Sequence, residues 1–129
     1  MTIQFNVVER GKPGDPTAPK KFYPSIQSSG RMTLRQLANR ITQMSTVSSP
    51  DTMAVLESLL TIIPQELAEG NIVELGEFGN FWLRTNADGI EEMEKVSASQ
   101  VTNLLPRFNP GKEFKKALTT ADFVKVSQN

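Results

Sequence analysis

No cysteine and no histidine occur in these 129 residues, and each absence removes a class of chemistry. Without thiols there is no disulfide framework, no thiolate zinc site and no cysteine nucleophile. Without imidazole, neither a Ser-His-Asp triad nor a zincin site can be assembled. Neither sign of charge is in excess, because 14 Lys and Arg balance 14 Asp and Glu. Apolar runs are too short for a membrane-spanning helix, and Met1 to Arg10 lacks the apolar core of a signal peptide. Glu91, Glu92 and Glu94 lack the alternating Asp residues and the glycine of a calcium loop, so a solvated acidic segment is expected there. The expectation is a soluble cytoplasmic protein with no cofactor, no metal, no small-molecule substrate and no membrane, and not an enzyme. The length suits one domain with a small appendage.

What is present is unevenly distributed. Residues 1–31 carry Arg10, Lys12, Lys20, Lys21 and Arg31 against Glu9 and Asp15, a net of +3. Residues 32–84 reach −3, and residues 85–102 are again −3, with Asp88, Glu91, Glu92 and Glu94 against Lys95. Residues 103–118 return to +3 through Arg107, Lys112, Lys115 and Lys116 against Glu113. Blocks of this kind speak to partners more than to fold.

Ile3, Phe5 and Val7 alternate with their neighbours as in a half-buried strand, and Phe22, Pro24 and Ile26 repeat the pattern. The Gly/Pro-rich run from Gly11 to Pro19 between them makes a hairpin, and Pro24, which has no N–H to donate, places the second strand at an edge. Thr33 with Gln36 forms a capping box before a helix whose Leu34, Leu37, Ala38, Ile41 and Met44 share one face. Ser49 as N-cap, Pro50 at the first helical position and Asp51 begin a second helix. Its stripe of Met53, Leu56, Leu59, Leu60, Ile63 and Leu67 is broader than one short neighbouring helix can cover. Pro64 should kink it and Gly70 should stop it. Strand formers follow from Ile72 to Leu83, with Gly76 and Gly79 marking a turn or a close backbone approach. Trp82 should face away from Phe81, packing under the added strands or stacking on a base. A turn at 86–89 is expected, then a strand from Val101 to Phe108. Asn109 should cap a last helix with Pro110 at its first position, and Phe123 to Val126 makes a short terminal strand.

Two signatures stand in this order. The first, Gly-x-x-Val-x-Leu-x-x-Phe-Gly-x-Phe, is filled by Gly70, Val73, Leu75, Phe78, Gly79 and Phe81; the second by Phe108, Gly111, Lys112 and Lys115. Separated by an arm-length insertion and preceded by two helices, this resembles the bacterial HU/IHF family of histone-like DNA-binding proteins over roughly residues 32–118. The added hairpin and terminal strand are similar to a longer variant found in Bacteroides-type bacteria. The resemblance implies an α+β fold: an intertwined homodimer, a β-sheet saddle with an arm, and a short C-terminal helix. It divides the chain into a hairpin extension (1–31), an HU/IHF-like domain (32–118) and a tail with a short strand (119–129).

The implied function is largely sequence-nonspecific duplex DNA binding in the nucleoid, an architectural role in DNA condensation. The phosphate-contacting set would be Lys112, Lys115, Lys116, Gly111, Arg107 and Arg84, with Gly79 and Asn80 as secondary amide contacts and the amides around Gly111 opening a helix N-terminus. The family's arm is rich in Arg and carries a proline wedge at its tip. Residues 85–102 here have no Arg and no Pro, so arm-driven bending should be weakened. The alternative is the same scaffold serving as a structural or protein-interaction module, with the strands at 1–9 and 22–28 as edges for a partner chain.

Overall fold

The computed structural model describes residues 1–86, 88–101 and 103–126. The turn expected at 86–89, the strand start near Val101 and the tail to 129 therefore fall partly outside the described residues. The chain divides into two compact units, one of residues 1–33 with 118–129 and one of residues 34–117.

In the first unit, β1 (Thr2–Arg10) and β2 (Lys21–Gln27) pair antiparallel, with Phe5 opposite Ile26 and Arg10 opposite Lys21. The terminal strand β6 (Asp122–Lys125) runs parallel to β1, Ile3 opposite Phe123. The sheet order is β2-β1-β6, so β1 is central. This corrects the expectation that residues 1–9 present a free edge. β2 does lie at an edge, as Pro24 requires. Alternation puts Ile3, Phe5, Val7, Phe22, Ile26 and Phe123 on one face and Gln4, Asn6, Val8, Arg10, Lys21 and Tyr23 on the other.

In the second unit, α1 (Leu34–Met44) begins directly after Thr33 and buries Ala38 against α2 (Ser49–Ala68), where Thr52 and Leu67 are buried. The N-cap of α2 is Ser48, one residue earlier than expected. Its hydroxyl accepts from the Asp51 N–H at 3.3 Å, while Ser49 and Pro50 open the helix. Either serine can cap, and only Ser48 has the extended backbone a cap needs, with ψ 160°. The helix runs through Pro64 to Ala68. Gly70, at φ +93°, then ends it: its N–H reaches the Leu67 carbonyl and the Asn71 N–H reaches Glu66. That pair of bonds is a Schellman motif, which needs the left-handed conformation glycine supplies.

The rest of the unit is a three-stranded antiparallel sheet in the order β3-β4-β5, with β3 Val73–Glu74, β4 Gly79–Thr85 and β5 Leu104–Pro110. A 3₁₀ turn, Gly76–Phe78, joins β3 to β4. β5 begins at Leu104 rather than Val101, and it continues through Asn109 and Pro110, which pair with Asn80 and Gly79. The last helix, α3, is therefore Lys112–Leu118, and Asn109 is a strand residue instead of its cap. Arg107, Phe108 and Asn109 alternate polar and apolar, and the pairing with β4 outweighs the local capping preference. Between β4 and β5 the described chain forms two 3₁₀ turns, Met93–Lys95 and Ala98–Gln100, so the ladder does not continue into a two-stranded arm beyond Thr85 and Leu104.

Candidate nucleic-acid interface

The β4–β5 register sorts side chains onto two faces. Phe81 lies opposite Phe108, and their rings sit 4.9 Å apart. Phe78 and Phe114 close on the same ring, at 5.4 Å each from Phe108 and 5.1 Å from one another. This four-ring cluster fixes α3 against the sheet through Phe114. At 100° per residue, Lys112 and Lys116 then lie a turn apart on the side of α3 opposite Phe114, with Lys115 flanking them. All three lysines are exposed.

The other sheet face carries the arginines. Asn80, Trp82 and Arg84 of β4 share it with Arg107 and Asn109 of β5, because Trp82 pairs with Arg107 and Asn80 with Asn109. Arg84 stands opposite Leu105, one diagonal step from Arg107, and both guanidiniums are exposed. No carboxylate among the described residues pairs with Arg84, Arg107, Lys112 or Lys115.

Two members of the expected set have a different role. Gly79 is buried, at φ +142°, and a Cβ there would stand 2.3 Å from the Asn109 carbonyl oxygen. Gly111 donates its N–H to the Phe78 carbonyl at 2.8 Å, so that amide is not available to a phosphate. A Cβ on Gly111 would stand 2.2 Å from the Glu77 carbonyl oxygen. Both glycines exist to let the 76–78 turn and the β5–α3 junction touch backbone to backbone. A methyl there must displace main chain, which is costlier than displacing a side chain. Gly111→Ala is expected to destabilise the protein by about 2 kcal/mol or more, read as a lowered denaturant midpoint.

Asn80 stays in the set but is half-buried. Trp82 lines a cleft of about 380 Å³ with Leu67, Ile72, Asn80 and Asn109. Its indole Nε1 is buried and has no hydrogen-bond partner. The half-buried ring thus lines a cleft beside the end of α2, with its polar edge turned inward. Asn109 is the residue that sequence reasoning missed; the polar–apolar alternation through 107–109 was the signal that placed it beside Arg107.

A family model described as an HU domain fused to wHTH, Ig, or Glycine-rich motif matches residues 1–125. Integration host factor subunit beta of Pseudomonas entomophila is 31% identical over 96 residues, covering 72% of this chain and 98% of its own. DNA-binding protein HU of Thermotoga maritima is 28% identical over 87 residues, covering 66% and 97%. Among solved structures, a mutant HU from Thermotoga maritima superposes with a TM-score of 0.51 at 23% identity, over 67% of this chain and 99% of that one. A candidate bacterial DNA-binding protein from Bacteroides vulgatus superposes with a TM-score of 0.65 at 12% identity, over 99% of this chain and 49% of that longer one. Both structures share the fold. Since the family model takes in nearly every residue, hairpin and terminal strand included, the chain belongs to the HU-HIG family, that of HU domains fused to a further motif.

Proposed function

We propose that two copies of this chain interlock as an HU-like dimer and bind duplex DNA through its phosphates, with little preference for sequence and a nucleoid-associated architectural role. The observation that carries the reading is an exposed cationic set in which no carboxylate among the described residues pairs with Arg84 and Arg107 on one sheet face or with Lys112 and Lys115 on α3, where Lys116 is also exposed. Contacts of this type position a protein on DNA without reading its bases. The relatives' names, a DNA-binding protein HU and an integration host factor subunit, support the same partner.

Bending is expected to be weak. The sequence from 86 to 103 has no Arg and no Pro and is net acidic, and its described residues include the 3₁₀ turns Met93–Lys95 and Ala98–Gln100, with Lys95 tied to Glu92 at 3.2 Å. An acidic segment is repelled from the minor groove, and no wedge offsets the few kcal/mol of unstacking that each kink costs.

Roughly three phosphate contacts per copy give a log–log salt slope of about −5 for the dimer. Titration of a labelled duplex at two salt concentrations measures it. No binding at low salt, or binding indifferent to salt, rejects the reading and favours a protein-interaction role for the scaffold. End-labelled duplex in the same titration should show little change in end-to-end distance.

A further inference from the structure

We infer that the β1–β2 loop is a second phosphate-binding surface, a preformed cationic cleft that grips the backbone of duplex DNA; the inference rests on the DNA reading above. The two strands end with Arg10 directly opposite Lys21. Like charges at opposed strand positions weaken a hairpin, so folding alone gives no reason to place them there. No carboxylate among the described residues pairs with Arg10, Lys12, Lys20 or Lys21. Glu9, the nearest acid on β1, pairs with Phe22 and so points to the opposite face from Arg10. The one carboxylate inside the loop, Asp15, does not line the cleft; its Oδ1 accepts from the Thr17 hydroxyl at 2.6 Å and from the Thr17 N–H at 3.0 Å.

The loop is also ordered before any ligand arrives. The Asp15 N–H reaches the Lys12 carbonyl at 3.1 Å and the Ala18 N–H reaches that of Asp15 at 3.3 Å, making two successive turns. Pro13, Pro16 and Pro19 each fix a backbone angle along them. A rigid loop loses less entropy on binding than a floppy basic tip would. Between the turns and the strand ends lies a cleft of about 420 Å³, walled by Arg10, Lys12, Lys21 and Tyr23 with Pro13 and Pro19. Three cationic residues and a tyrosine line one concavity, where charge serving only solubility would be spread out. Arg, Lys and Tyr are among the side chains that donate to phosphate and sugar oxygens of a nucleic-acid backbone.

The charge-reversed variant Lys21→Glu separates binding from folding. It places a carboxylate opposite Arg10, so its unfolding midpoint should equal or exceed the parent's. Its affinity for duplex DNA should fall about tenfold, and the salt slope should shrink by about 2 for a dimer. Adding duplex to the labelled protein should shift the NMR signals of Gly11 to Ala18 and of Tyr23. If the parent binds duplex, but Lys21→Glu and a Lys12/Lys20/Lys21→Ala variant keep its affinity and slope while the loop signals stay still, the cleft inference is wrong and the DNA reading stands. If the parent binds no duplex, both fall. If reversal of Lys112 and Lys115 ends binding elsewhere while duplex still shifts the loop signals, the cleft stands alone.

Discussion

Reversing Lys112 and Lys115 together to Glu is expected to weaken duplex binding by about 100-fold or more at moderate salt. The salt slope should fall from about −5 toward about −2. Each copy loses two cations and gains two anions at an exposed part of the candidate interface, and a dimer doubles both changes. Lys112 and Lys115 lie away from the Phe78, Phe81, Phe108 and Phe114 cluster that holds α3, so the fold should survive. Reversal also trades the like-charge pair Lys112–Lys116, one turn apart, for an attractive one. A mobility-shift titration beside a thermal melt reads both quantities. Unchanged affinity in a folded variant would remove α3 from the interface and leave Arg84 and Arg107 to carry it.

The parts of this arrangement that could be read from the sequence are those fixed by local physics. Pro50 and Asp51 announce the start of α2, Gly70 its end, and the period-two alternations β1 and β2. The choice between Ser48 and Ser49 as cap rests on one backbone angle, which two adjacent serines cannot reveal. Asn109-Pro110 suits a helix start as well as a strand end. Only the pairing with Asn80 and Gly79, thirty residues earlier, decides for the strand. Phe123 to Val126 has a strand's composition but nothing in it names β1 as its partner or sets the parallel direction. Gly79 and Gly111 show the same limit at the candidate site. A glycine needed for a ligand's approach and one needed for a backbone contact look alike until Asn109 and Glu77 are placed beside them.

A Glu at position 59 is expected to abolish both dimerisation and the native fold. The second unit leaves much of the apolar surface of α2 uncovered: Val55 is 65% exposed, Leu60 56%, Ile62 51% and Leu59 40%. Ala54, Val55, Ser58, Leu59 and Ile62 line a shallow, almost wholly apolar groove along the helix. Among the described residues the buried hydrophobic side chains are only Ala38 and Leu67, too few to stabilise a domain of this length alone. Covering these four partly exposed side chains in each of two copies contributes about 8 kcal/mol, comparable to a whole domain's stability. Folding and association should therefore be one event, and the parent's melting temperature should rise with protein concentration. Leu59→Glu puts one carboxylate from each copy into that buried seam, at a cost of several kcal/mol per ion. Sedimentation equilibrium and circular dichroism should find the variant monomeric and largely unfolded at micromolar concentration. A parent that sediments as a single folded chain, with a melt indifferent to dilution, would contradict this, because the face of α2 would then need no partner to be stable.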